Sequence, residues 1–422
     1  MPEITKATMT YKRSREKTQK RKRLLFRIVI VCSVLALTLG SVGYYRYTHA
    51  LPSLSAQISA ITYTPPAAQP LAWPAYGQAA VGTKTFGLLS TNGEQTQVPT
   101  ASNAKLITAL AVLESKPLRR DQPGPTITLS TSDVALRDKY AAVGGSVVAV
   151  EAGEKITQYQ MLQALLLPSA NNIADSLVIW AFGSIENYTT YAQQMVDSYG
   201  LKHTTIGTDA SGLSPSTKST AGDLVVIAQR ALRNPVITQI VAQKQATIPV
   251  AGTIRNTNSM LGQDGIVGIK TGNTDEAGGV FLLAGNYELQ PGQTTTVIAS
   301  VMGAPDLRTA MQDSRQLFES AKKNLVFVNI VKAGDNVGIY RTPWGKSYTA
   351  VAASAIHGPV WLGGTNQQPK FSFDSVKPPR ETGSTVGSIT FTRADGVELK
   401  SEIRLRQTIE APSWQWRVFG KD

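Results

Sequence analysis

The chain has 422 residues, 42% of them apolar and 17% charged, enough for two or three domains with real cores and an ordinary charge density for a globular protein. The net charge of +13 would suit a nucleic-acid binder, but residues 1–27 hold ten Lys or Arg against two Glu, so the basicity is mostly a tail and no nucleic-acid partner is expected. One cysteine, Cys32, and three scattered histidines, His49, His203 and His357, leave no disulfide framework and no metal-ligand spacing.

The basic tail, residues 1–27, runs into Ile28 to Tyr45, eighteen residues without a charge, about the minimum for a membrane-spanning helix. Lys12, Arg13, Arg15, Lys17, Lys20, Arg21, Lys22 and Arg23 precede it and predict a cytoplasmic N-terminus, with everything after Arg46 outside the membrane. A cleaved signal peptide would have to use Thr48-His49-Ala50. The apolar segment is long for that role and the site is poor, so an uncleaved anchor over 28–45 is expected. Residues 46–70, with Pro52, Pro65, Pro66 and Pro70 among many Ala and Ser, read as a linker into a first strand.

Residues 71–323 read as one α+β domain. Ser102 to Leu113 places Leu106, Ile107, Leu110 and Leu113 on one stripe, which predicts a largely buried helix with Ser102 in its first turn. From 155 to 245 the periodicity is helical. From 265 to 303 it turns to short apolar or β-branched runs, Gly265 to Thr271, Gly279 to Ala284 and Thr295 to Met302, divided by polar, Gly-rich turns. Asp306 to Lys323 gives a closing helix. Residues 324–422 alternate with turn signals such as Asp395-Gly396 and read as a C-terminal β-rich domain. Trp414, Trp416 and Val418 are spaced by two. That spacing favours one face of a core strand over a membrane-facing aromatic patch.

Three short motifs stand in order: Ser102-Asn103-Ala104-Lys105, Ser169-Ala170-Asn171 and Lys270-Thr271-Gly272. Each alone is weak, and the chain carries decoys at Ser14 to Lys17, Ser320 to Lys323 and Ser90 to Asn92. Lys-Thr-Gly occurs once, and only the Ser102 and Ser169 copies precede it with enough intervening chain to build a helical lobe. Ser102 and Lys105, three apart, share a helix face. The helix N-terminus beside them offers unpaired N–H groups and a positive dipole end, which suits an oxyanion and disfavours a protonated amine.

Ser-x-x-Lys, Ser-x-Asn and Lys-Thr-Gly together form the known signature of penicillin-binding proteins and class A β-lactamases. Pro99 to Leu110 resembles the nucleophile segment of the serine D-alanyl-D-alanine carboxypeptidases, the low-molecular-mass penicillin-binding proteins. Ala72-Trp73-Pro74-Ala75-Tyr76-Gly77-Gln78 resembles that family's opening strand. Leu167 to Asn172 resembles its second motif, Asp209 to Leu213 with Ser219 to Leu224 its mid-domain loop, and Lys270 to Gly278 its third motif. The resemblance is strong over roughly residues 70 to 320. It implies a transpeptidase-like fold, an antiparallel sheet with an inserted helical lobe, plus the C-terminal β-rich domain.

The resemblance also implies roles. Ser102 would attack the carbonyl between two D-alanines and a neutral Lys105 would take its proton. Ser169 would relay that proton to the leaving amine, and Asn171 would bond Lys105 or a substrate amide. Lys270 and Thr271 would hold the terminal carboxylate. Gly272 would leave room for the substrate to add as a β-strand, and the backbone N–H groups of Ser102 and Asn273 would form the oxyanion hole. An unperturbed lysine has a pKa about 3 units too high to be a base at pH 7, which is a reason for a buried second lysine nearby.

The expected substrate is thus the peptidoglycan stem pentapeptide, β-lactams are the expected inhibitors, the membrane is a partner through the N-terminal helix, and no cofactor is called for. A Ser-His-Asp triad would need His203 or His357, and neither lies in a motif. A β-lactamase is the nearest rival, disfavoured by the anchor, the extra β domain and the lack of a Glu-x-x-Leu-Asn segment after the second motif. A non-catalytic wall-binding scaffold is a further alternative, disfavoured by the intact motif residues.

Overall fold

The computed structural model describes residues 3–59, 63–364 and 368–420. Helix α1, Glu3–Thr48, runs unbroken through the apolar segment. It is long and apolar enough to cross a membrane, and none of its most apolar stretch is buried against the rest of the protein.

A five-stranded antiparallel sheet organises the middle of the chain. Its order is Ile266–Thr274, Gly278–Gln290, Gln293–Ala304, Gln78–Thr83, Gly87–Asn92, so the strand bearing Lys-Thr-Gly is an edge. Both faces are covered, which is why Val280 to Ala284 is a continuous apolar run and Val297 to Met302 is apolar but for the buried Ser300, instead of alternating. On one face lies the closing helix Leu307–Asn324, capped by the Asp306 carboxylate accepting from the Thr309 N–H. Its fit is tight: a Cβ on Gly285 would lie 2.4 Å from the Phe318 ring.

The helical lobe covers the other face. Its central helix α2, Ala104–Ser115, is buried from Ala104 through Leu113, the pattern of a helix packed on all sides. Around it stand α3, Thr131–Ala142; α4, Gln158–Leu166; α5, Asn171–Phe182; α6, Ile185–Ser198; α7, Ala221–Arg233; and α8, Pro235–Val241. Local sequence sets the boundaries. Ser130 with Asp133 and Thr157 with Gln160 form capping boxes at the starts of α3 and α4. Gly183, at φ 85°, ends α5 in the left-handed conformation. The helical order predicted for 155–245 and the strands predicted for 265–303 are present, with the last two strands longer than the apolar runs alone suggest.

The C-terminal region has its own sheet and its own core of Val337, Tyr340, Val386, Ile389, Phe391 and Ile403. Its six strands run in the order Ala56–Ile58, Asn336–Arg341, Ser347–Ala352, Glu398–Leu405, Thr385–Thr392, Lys370–Phe373. With the ribbon of Leu325–Val331 and Ile356–Trp361, this is the expected β-rich region.

Three expectations are corrected. The stretch read as a linker supplies the strand Ala56–Ile58, paired with Gly338 to Tyr340, and buries Leu54 and Tyr63 in the C-terminal core. The opening strand is Gln78–Thr83, with Ala72 to Gly77 leading into it; Pro74 has no N–H to give a ladder, and Gly77 turns the chain at φ 53° against the Met302 carbonyl. Trp414–Phe419 is a short helix, α9 being Leu307–Asn324 and this one α10, capped by the Ser413 hydroxyl. Its Trp414 and Phe419 are exposed, so the core-strand reading fails. Arg417 donates to the Tyr47 carbonyl and Arg46 to the Val418 carbonyl, tying α10 to the end of α1.

Candidate active site

The three motifs converge where α2, α5 and the edge strand meet. Thr100 leads into a 3₁₀ turn, Ala101–Asn103, from which α2 continues, so Ser102 lies in that turn, two residues before the first residue of α2. Ala101 has φ 46° and Ser169 has φ 63°. Both are non-glycine residues in left-handed backbone, each at a cost of about 1–2 kcal/mol. Such strain collects at functional sites. The turn leaves Ser102 partly exposed while Lys105, on the next turn of backbone, is completely buried.

Lys105 Nζ has three oxygen partners: Ser102 Oγ at 2.9 Å, Asn171 Oδ1 at 2.7 Å and the Ser211 carbonyl at 2.8 Å. A carbonyl and an amide oxygen can only accept, whereas a hydroxyl can also donate. A neutral amine therefore spends its two N–H bonds on Ser211 and Asn171 and turns its lone pair to the Ser102 hydroxyl. Burial pushes the Lys105 pKa well below its ordinary value, the Lys270 ammonium pushes it further, and Asp209 and Asp175 pull it partly back. Burial also brings Lys270 down to about 7.

The edge strand packs directly on the nucleophile turn. A Cβ on Gly272 would lie 2.9 Å from Asn103 Nδ2 and 3.1 Å from Ser102 N, an approach that glycine permits. Lys270 is buried and donates to the Thr271 carbonyl at 2.9 Å. Thr271 Oγ1 is 2.7 Å from Thr257 Oγ1. Asn273, two residues along, is exposed at the mouth, paired with Gly279 across the ladder. Ser169 is buried, and its Oγ has no hydrogen-bond partner among the described residues. The structure thus brings Ser102, Lys105, Asn171, Lys270, Thr271 and Gly272 together, with Ser169 buried two residues before Asn171 and Asn273 exposed beside Gly272.

The arrangement has the parts of acyl transfer: a hydroxyl beside a buried amine, a second hydroxyl free to bond, and an edge strand able to accept an extended peptide. Arg255 is outside it, exposed and donating to Gln245 Oε1 at 3.0 Å. His203 and His357 are exposed and belong to other parts of the fold. Sequence reasoning missed the Ser211 carbonyl and Thr108, whose Oγ1 donates to the Ala210 carbonyl at 2.7 Å. A backbone acceptor has no side-chain signature. Thr108, three residues after Lys105 on the same face, could have been suspected.

A family model described as D-alanyl-D-alanine carboxypeptidase matches residues 67–306, more than half of the chain. The chain is similar to the D-alanyl-D-alanine carboxypeptidase DacD of Salmonella typhimurium, 26% identical over 300 residues that cover 70% of this chain and 74% of the relative. It is 32% identical to the D-alanyl-D-alanine carboxypeptidase DacB2 of Mycobacterium tuberculosis over 44% of this chain and 61% of the relative. Among solved structures, the fold is similar to PBP3 from Streptococcus pneumoniae, with a TM-score of 0.58 at 22% identity, covering 79% of this chain and 98% of that one. Penicillin binding protein 5 from Haemophilus influenzae gives 0.56 at 17% identity, covering 83% and 100%.

Proposed function

The chain belongs to the D-alanyl-D-alanine carboxypeptidase family, a family of peptidases, and on that premise we propose that it removes the terminal D-alanine from peptidoglycan stem pentapeptides through an acyl-enzyme on Ser102, held at the outer face of the membrane by α1. The observation that carries this reading is the buried Lys105 amine, 2.9 Å from Ser102 Oγ and braced by two pure acceptors.

Lys105 takes the Ser102 proton as Oγ attacks the carbonyl between the two D-alanines. The Ser102 and Asn273 N–H groups receive the oxyanion, each such donor being worth about 3 kcal/mol of transition-state stabilisation. Ser169 Oγ passes the proton to the leaving amine, and D-alanine departs. Lys270 and Thr271 bind the substrate carboxylate. With a Lys270 pKa of about 7, an arriving carboxylate also draws a proton onto that amine, so binding and proton uptake are linked. Water then attacks the acyl-enzyme, with Lys105 again as base.

β-Lactams, which mimic acyl-D-Ala-D-Ala, acylate the same serine. The N-terminus is cytoplasmic and the peptidase region extracytoplasmic, as the basic residues before Ile28 support. The test is D-alanine release from an acyl-D-Ala-D-Ala pentapeptide by the full chain in detergent. Release that is lost in Ser102→Ala is expected. Rapid penicillin turnover without D-alanine release would point to a β-lactamase, and neither activity to a wall-binding scaffold.

A further inference from the structure

Behind Lys105 lies a buried carboxylate that the reaction as described does not use. Asp175 sits one turn beyond Asn171 on α5 and is 1% exposed. Its Oδ2 accepts from the Tyr140 hydroxyl of α3 at 2.6 Å, and its Oδ1 accepts from the Ala210 N–H at 3.3 Å. The Ala210 carbonyl in turn accepts from Thr108 Oγ1 of α2. Ala210 is thus pinned on both sides immediately before Ser211, whose carbonyl takes the Lys105 N–H. Asp209 closes the same loop by accepting from Ser211 Oγ and from the Leu213 N–H. Gly212, at φ 70°, comes so near the nucleophile turn that a Cβ there would lie 2.1 Å from the Ala101 carbonyl oxygen.

Burying a carboxylate with only two neutral donors costs free energy, and burial raises the Asp175 pKa accordingly. Resting on the reading of Lys105 as the base for Ser102, we propose that Asp175, with Tyr140 behind it, is a positioning residue: it fixes the 209–213 loop so that Ser211 and Asn171 take the two N–H bonds of neutral Lys105 and leave its lone pair on Ser102. One helix, α5, then supplies both supports of the base, Asn171 directly and Asp175 through the Ala210 peptide.

The groups around Lys105 define the electrostatic consequence. Lys270 acts on it from the edge strand, Asp209 from the loop and Asp175 from α5. Tyr140 on α3 is bonded to Asp175, and Tyr188 on α6 is bonded to Thr108. Lys139 on α3 also acts on Asp175. The negative charge at Asp175 raises the Lys105 pKa, so its removal lowers that pKa and a neutral base persists to lower pH.

The experiment compares the full chain in detergent with Asp175→Asn, Asp175→Ala and Tyr140→Phe. Acylation by a fluorescent penicillin is followed from about pH 5 to 10, across the lysine range, and backbone amide exchange is followed by mass spectrometry over residues 209–213. Asp175→Asn can keep both bonds, its amide oxygen accepting from Ala210 and its NH2 donating to Tyr140. It should move the acylation midpoint down by about half a pH unit or more. Asp175→Ala should slow the plateau rate about tenfold or more and speed exchange at 210–213, and Tyr140→Phe should slow it less, without the downward shift. A wild-type midpoint in Asp175→Asn together with a wild-type plateau in folded Asp175→Ala overturns the inference, as does unchanged loop exchange in Asp175→Ala. If Asp175→Ala does not fold, the other two variants decide. If the wild type itself is not acylated, the reading of Lys105 as base fails, and this inference falls with it.

Discussion

Replacing Lys105 by arginine separates a base from a mere positive charge. At pH 7 a lysine with an ordinary pKa near 10.4 is neutral in only about one molecule in 2,500, a deficit of roughly 3 orders of magnitude in active base. In this protein burial and the Lys270 ammonium push Lys105 well below that value, which enlarges the neutral fraction available as base. A guanidinium stays charged throughout the range and cannot be that base. It also does not fit a site with no exposure, where one Nζ meets three oxygens within 2.9 Å. General-base help is worth about 10²–10⁴-fold, so Lys105→Arg should lose at least about 10³-fold in acylation at pH 7 once the steric misfit adds to the lost base. The assay is the rate of penicillin acylation from about pH 5 to 10, with folding followed by circular dichroism. Wild-type rates should rise with pH along an apparent pKa well below that of free lysine, a property of the coupled Lys105 and Lys270 pair. Acylation by the arginine variant within about tenfold of wild type would refute the reasoning, because the loss of any general base exceeds that.

Gly272→Ala should place a methyl 2.9 Å from Asn103 Nδ2, 3.0 Å from Ala101 Cβ and 3.1 Å from Ser102 N. Parting the strand from the nucleophile turn should cost about 1–3 kcal/mol of stability by denaturant unfolding and slow acylation about tenfold or more. Lys270 predicts a stability slope. Its folded pKa of about 7 lies below the unfolded value, so the unfolded chain holds the extra proton between those limits and stability rises with pH across them. Between pH 7 and 9 this adds about 2 kcal/mol, and Lys270→Met should remove that increment while weakening peptide binding.

Much of the site was legible because its residues come in short motifs on strongly patterned elements. The stripe of Leu106, Ile107, Leu110 and Leu113 puts Ser102 and Lys105 at the start of one buried helix, and the apolar runs after Gly265 mark the edge strand carrying Lys270. What escaped depends on distant pairing or on backbone atoms. Ala56–Ile58 is three residues long and gains its order from Gly338 to Tyr340 far along the chain, so the stretch around it, with Pro52, Pro65, Pro66 and Pro70, looks like a linker. Trp414 and Trp416 alternate as in a strand, but the Ser413 cap and the end of α1 stabilise a helical turn there. The Ser211 carbonyl leaves no trace in residue type. Asp175 is visible four residues after Asn171, yet nothing local shows that its carboxylate turns inward toward Tyr140.

The central claim is that Ser102 is the acylated nucleophile, and locating a penicilloyl group tests it most directly. The full chain is treated with penicillin, its intact mass is measured, and the adduct is mapped by peptide mass spectrometry. One penicilloyl group per chain, on the peptide containing Ser102 and absent from Ser102→Ala, is the predicted result. An adduct on another serine, or undiminished labelling of Ser102→Ala, would contradict the account.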